Sequence, residues 1–191
     1  MKISLEKLRK EMDKQDDVRE KVIRESRKII QKSKTAIGAV HRDALGEALP
    51  VLHDMKEDLA RVKETITHSP RLEFEGIFKV AVQEYVEALA LYEFTKNGSL
   101  LAYSEEFLDP ETYLMGLCDL SGELVRKAIN ASINEKYEIA VKIRKMLEEV
   151  YIELSKFDFK NGELRRKYDG IKYDIRKLDD LVFQLKMKDK I

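Results

Sequence analysis

The chain has 191 residues, 43% of them hydrophobic and 38% charged, with 36 Lys+Arg balanced by 36 Asp+Glu. That length suits one domain with a real core, and the balanced charge excludes a uniformly basic nucleic-acid binder. With only 3 Pro and 8 Gly among many Leu, Ala, Glu and Lys, the composition predicts an all-α chain and excludes a sheet protein.

The lone cysteine, Cys118, leaves no intrachain disulfide, as in a reducing, cytoplasmic setting. The start, Met1-Lys2-Ile3-Ser4-Leu5-Glu6, lacks the apolar core of a secretory signal. No stretch approaches the ~18 apolar residues of a membrane span. Charge is uneven along the chain: 13 basic against 7 acidic residues over 1–42, 6 against 17 over 43–124, and 17 against 12 over 125–191. An acidic centre framed by basic ends suits an enzyme that grips phosphates and holds cations. It suits an unevenly charged surface equally well.

Six or seven helices with short loops are predicted, forming one bundle over 1–191. The first runs over about 4–42, with Val22, Ile23, Ser26, Ile29, Ile30, Ser33, Ile37 and Val40 as its buried stripe. Lys21, Arg24, Lys28 and Lys32 fall on another face. The second spans about 44–67, with Pro50 as a kink or as its true start. Ser69-Pro70 reads as N-cap and first residue of a third helix, which ends near Thr95 before Asn97-Gly98. A helical turn is expected over 104–108. Asp109-Pro110-Glu111 then opens a fourth helix reaching about Asn134. The fifth covers about 135–157, and Asn161-Gly162 separates it from a sixth over about 163–188. The sixth carries Tyr168, Ile171, Tyr173, Ile175, Leu178, Val182, Phe183 and Leu185. These are more apolar positions than one buried stripe needs, so they serve a subunit interface or burial within the bundle.

Two pairs of acids sit where a core stripe belongs. In the third helix Val80, Glu84, Glu87, Ala88 and Leu91 share one face. Glu84 and Glu87, at i and i+3, are therefore neighbours, and they repel when ionised. In the fourth helix Asp119 and Glu123, at i and i+4, fall on the face of Met115 and Gly116. Gly116 and Gly122 weaken this helix but admit a close neighbour, either backbone or ligand. If the two helices pack side by side, four carboxylates converge. Such hard oxygen ligands favour Mg²⁺, Mn²⁺ or Ca²⁺ over zinc or copper. The alternative is ion-pairing with Arg126, Lys127 or a neighbouring chain. A di-iron site is disfavoured because neither pair carries a histidine at i+3. His41, His53 and His68 read as ordinary surface or boundary residues.

Gln83-Glu84-Tyr85-Val86-Glu87-Ala88 and Asp119-Leu120-Ser121-Gly122-Glu123-Leu124-Val125-Arg126 resemble the two signature segments of the catalytic, translin-associated factor X branch of the translin superfamily. Arg19 through Arg42 resembles the first helix of that family, and Leu164-Arg165-Arg166-Lys167-Tyr168-Asp169-Gly170-Ile171-Lys172-Tyr173-Asp174 is similar to the last helix of translin. The resemblance covers nearly the whole chain. It implies an all-α fold of about seven helices, closed barrel-like octamers with nucleic acid inside, and a Mg²⁺-dependent endoribonuclease using Glu84, Glu87, Asp119 and Glu123. Two departures stand out. Residues 71–79, from Arg71 to Lys79, balance two basic residues against two acidic ones, Glu73 and Glu75, whereas translin has a His- and Arg-rich run there. The chain also joins a catalytic-type centre to a translin-type end, roles that eukaryotic systems divide between two proteins, which points to a homo-oligomer.

The resulting expectation is phosphodiester hydrolysis in RNA by Mg²⁺ or Mn²⁺ held by the four acids, one of which accepts the proton of the attacking water. Lys21, Arg24, Arg27, Lys28 and Lys34 of the first helix, with Lys79, are the candidate phosphate contacts. Selectivity by shape, strandedness and the 2′-OH is expected, since Phe78, Tyr85 and Tyr113 read as core residues and no stacking platform is evident. The rival is a non-catalytic oligomer binding RNA or single-stranded DNA. A third reading, a structural or metal-storing bundle, binds no nucleic acid.

Overall fold

The computed structural model describes residues 5–67 and 76–191. The described residues form six α-helices and a short 3-10 turn: α1 (Glu6–His41), α2 (Leu45–Thr67), α3 (Gly76–Asn97), the turn Glu105–Phe107, α4 (Pro110–Ile133), α5 (Tyr137–Leu154) and α6 (Glu163–Met187). The expected Ser69-Pro70 cap, together with His68 and Arg71, lies outside the described residues. Among the described residues no helix is long and apolar enough to cross a membrane.

Local chemistry accounts for the boundaries. Asp109 caps α4, its carboxylate accepting from the Thr112 backbone N–H at 2.7 Å, with Pro110 in the first turn. Ser104 caps the 3-10 turn. α5 starts two residues later than the pattern predicts because Glu135 takes a left-handed φ of 60°. That turn lets the Lys136 N–H reach back to Ala131 O at 2.9 Å and close α4. Pro50 lies inside α2, beyond its first turn, so it does not mark the helix start. Gly98, at φ 70°, ends α3 as Asn97-Gly98 suggested.

The helices do not simply alternate up and down. α2 returns antiparallel to α1 across a short loop. Residues 98–109, though, carry the chain back along α3, so that α4 starts beside the first half of α3 and runs parallel to it. Twelve residues span at most ~40 Å when extended, enough to retrace the ~33 Å of a 22-residue helix. Aromatic packing pins this crossover. Phe107 is buried and stacks on Tyr113 at 5.6 Å, and the Tyr113 hydroxyl donates to Leu101 O at 2.5 Å. Leu108 then closes a γ-turn at φ 67°, ψ −68°, with Asp109 N–H donating to Phe107 O at 2.8 Å. This is a strained turn for a non-glycine residue, held between the buried Phe107 and the capping Asp109.

The core is continuous through the six helices, from Ile29 and Val40 through Leu52, Met55, Leu91, Leu120 and Ile143 to Ile171 and Leu178. Phe78, Tyr85 and Tyr113 are buried in it as expected. Val80 is not: at 39% exposure it lies at the edge of the face assigned to it. The contact that sets the frame is between α3 and α4. A Cβ at Gly116 would lie 2.7 Å from Gln83 O and 2.8 Å from Val86 Cβ, so only glycine lets the two backbones approach this closely. Gly122 plays no such part, since it is exposed with nothing near its Cβ position.

The two glycines therefore respond oppositely to the same change. Gly116→Ala forces α3 and α4 apart and costs about 1–3 kcal/mol. Gly122→Ala gains about 0.5–1 kcal/mol from helix propensity. Urea unfolding of both variants checks this, and equal effects would refute the packing argument.

Candidate functional site: a carboxylate cluster between α1, α3, α4 and α6

Because α3 and α4 run parallel in contact, residues four apart on each advance together. Gln83 Nε2 lies 3.6 Å from the Met115 sulfur, and one turn further on Glu87 feels Asp119. Four carboxylates thus reach one level of the bundle, all of them partly buried. The charges of Glu84, Asp119 and Glu123 all bear on Glu87.

Three of the four have partners drawn from other helices. The Ser33 hydroxyl on α1 donates to Glu84 Oε2 at 2.5 Å. His41, at the end of α1, contacts Glu123 Oε2 through Nε2, and Arg126 approaches the same oxygen at 3.5 Å. Lys167 on α6 donates to Asp119 Oδ2 at 2.5 Å. Glu87 has no hydrogen bond or ion pair among the described residues, and Lys167 opposes its shift only weakly.

The protonation behaviour follows from these contacts. Burial first, and then repulsion from Glu84, Asp119 and Glu123, push the Glu87 carboxyl up to about 8. Burial also raises Asp119, against the pull of Lys167. The His41 contact lowers Glu123 in spite of burial. Burial and the Asp119 charge push the neighbouring Cys118 thiol up to about 12, so it offers no nucleophilic thiolate at neutral pH.

The four acids have the chemistry of a divalent-cation site: hard oxygens, mutual repulsion and one acid lacking a counter-charge. Among the described residues, however, no group of three or more Asp, Glu, His or Cys side chains is arranged to hold a metal ion. Three of the acids are turned instead to Ser33, Lys167 and His41. The chemistry of the donors, all carboxylate oxygens, is the kind that suits Mg²⁺ or Mn²⁺.

Sequence reasoning singled out the four acids but, of their partners, only Arg126. Of the expected cations Arg126 is present, but Lys127 turns away to Val40 O at 3.2 Å and Asp43 Oδ1 at 3.0 Å. His41 is corrected from a boundary residue to a buried one, with 5% of its side chain exposed. It is the last residue of α1, and its ring reaches across to Glu123 on α4. His53 is exposed, as expected. A serine inside the apolar stripe of α1 was the available signal for Ser33, since a buried hydroxyl calls for a partner.

The candidate phosphate contacts divide into two flanks. Arg27, Lys34 and His41 are spaced by seven residues and so form one stripe along α1 leading to the acids. Arg27 and Lys34 are exposed. Lys21, Arg24 and Lys28 lie on the other flank, where Arg24 and Lys28 pair with Glu25 at 3.2 and 2.8 Å. Lys21 there lines a groove with Asp58 and Arg61 of α2. Lys79 is half-buried near the start of α3.

A helical bundle with a crossover between parallel helices and four acids at their contact defines a narrow class of protein. The translin family profile matches residues 17–189, and the chain belongs to the translin family. It is 31% identical over 158 residues to an uncharacterized protein of Methanocaldococcus jannaschii, covering 81% of this chain and 70% of that one. It is 24% identical over 228 residues to translin-associated protein X of Pongo abelii, covering 97% and 78% respectively. Its fold matches the crystal structure of apo-NeC3PO with a TM-score of 0.88 at 29% identity, over 96% of this chain and 98% of that one. The AfC3PO–duplex RNA complex matches with a TM-score of 0.86 at 25% identity, over 97% and 98%. The translin-associated factor X likeness read from the signature segments thus agrees with both kinds of comparison.

Glu87 also sets a stability trend. A carboxyl raised from 4.5 to about 8 contributes stability that is fully present below pH ~4.5 and lost as pH rises towards 8. Glu87→Gln abolishes that loss. Melting in EDTA should then show the variant gaining over wild type, and gaining more near pH 8 than near pH 5. A pH-independent difference would contradict the assigned cause.

Proposed function

We propose that this chain is a divalent-metal-dependent endoribonuclease of the translin-associated factor X type, acting as a homo-oligomer in the cytoplasm. The observation that carries the reading is Glu87, a partly buried acid without a counter-ion, facing three further carboxylates. A folded protein retains such a destabilising arrangement where a cation completes it. The likeness to a fold solved with duplex RNA supports RNA as the substrate class.

In this reading Glu84, Glu87, Asp119 and Glu123 hold Mg²⁺, with Mn²⁺ as a substitute. A bound ion would supply positive charge for a phosphoryl oxygen and lower the pKa of a water. Arg27 and Lys34 follow the RNA backbone along α1 and deliver it to the acids. Lys167, already on Asp119, is the nearest cation that can turn to a phosphate oxygen. One of the four acids would accept the proton of the attacking water. Assembly is supported by Tyr173, Phe183 and Met187, which leave more than half of each side chain exposed along α6. A closed octamer with RNA inside is the form the family resemblance implies.

The second reading is a non-catalytic oligomer that binds RNA or single-stranded DNA. It draws on the fact that Glu84, Asp119 and Glu123 are already satisfied within the chain. Incubating labelled single- and double-stranded RNA with Mg²⁺, with EDTA, and with a Glu84→Gln/Glu87→Gln variant separates the two. Mg²⁺-dependent cutting that falls to background in the variant is expected. Tight binding without cutting under Mg²⁺ or Mn²⁺ would overturn the enzyme reading.

A further inference from the structure

The two hydrogen bonds that α1 sends into the cluster share a pattern. Ser33 reaches one acid on α3, and His41, eight residues on, reaches one acid on α4. In each case a single oxygen is held: Oε2 of Glu84 by Ser33, and Oε2 of Glu123 by His41 and Arg126. The Oε1 atoms of both glutamates make no hydrogen bond among the described residues. One oxygen is thus pinned and the other left for a ligand, as when outer hydrogen bonds orient a metal-binding carboxylate.

The surroundings of the two residues point the same way. The Ser33 side chain is buried, and its hydroxyl also lies 2.9 Å from Ile30 O. Its single hydrogen goes to the carboxylate oxygen, the stronger, charge-assisted acceptor. The His41 ring is 5% exposed, and its Nδ1 is buried without a partner. Here Glu123 is the only side chain that His41 engages among the described residues. With Glu123 ionised, Nε2 carries the hydrogen that it donates.

We infer that Ser33 and His41 are positioning residues, which fix Glu84 and Glu123 in the rotamers that present Oε1 to a divalent cation. The inference rests on the proposed metal-dependent function and assigns α1 a part in it beyond phosphate contact. α1 then serves both sides of the reaction: Arg27 and Lys34 face the substrate, while Ser33 and His41 face the acids from the same helix. The acids of α3 and α4 are oriented by a rigid neighbour, not by their own backbones.

Mn²⁺ binding measured without RNA tests this, by the electron-spin resonance signal of free Mn²⁺ titrated into the full chain. Wild type should bind with a defined dissociation constant. Ser33→Ala and His41→Leu should each weaken binding about 10-fold or more. Ser33→Thr keeps the hydroxyl and His41→Gln keeps a donor, so both should recover most of the affinity, which a merely structural role would not produce. Unchanged Mn²⁺ affinity in Ser33→Ala and His41→Leu, beside a wild type that binds, overturns the inference and leaves the metal reading intact. A wild type that binds no Mn²⁺ while the Glu84→Gln/Glu87→Gln variant behaves identically overturns both.

Discussion

Everything at the candidate site depends on how closely α3 approaches α4 at Gly116. The chain arranges that contact in a costly way. It spends residues 98–109 on a crossover, so that two consecutive helices lie parallel. It also places a glycine mid-helix where any side chain would strike Gln83 and Val86. Parallel packing keeps the two acidic pairs in step, so that Glu84 and Glu87 meet Asp119 and Glu123 at one level. Antiparallel packing through a short loop would have placed the pairs at levels set by loop length alone.

The second constraint is electrostatic. Four carboxylates in a partly buried gap repel one another, and the bundle answers with partners from α1, packed on α3, and α6, packed on α4. Ser33, His41 and Lys167 each satisfy one acid. The answer is incomplete by one: Glu87 is left to hold its proton well above the usual carboxylate range. A cluster built only for stability would have closed this gap with another lysine or removed the acid. Metal binding and internal pairing are two ways of neutralising the same charge, and the described contacts show the second.

The fold was legible where it rests on neighbours in sequence. The capping Asp109 with Pro110, the Ser104 turn and the Asn97-Gly98 stop all act within a few residues, and each appears in the structure. The late start of α5 was not legible, because nothing in the side chain of Glu135 announces a left-handed backbone. At the site the four acids stood out because charge interrupted an apolar period. Their partners did not, since Ser33–Glu84, His41–Glu123 and Lys167–Asp119 are separated by 51, 82 and 48 residues. Such pairings are made by tertiary packing and leave no local pattern. The same holds for the two glycines, which look alike in sequence and differ only in what stands opposite them.

The central claim is that the four carboxylates form one cation site. Anomalous scattering from crystals grown with Mn²⁺ tests it most directly. The account predicts an anomalous peak bounded by Glu84, Glu87, Asp119 and Glu123, with Glu84 and Glu123 contributing Oε1 while Ser33 and His41 keep their hold on Oε2. Full Mn²⁺ occupancy elsewhere, with this cluster still closed on Ser33, His41 and Lys167, would contradict it.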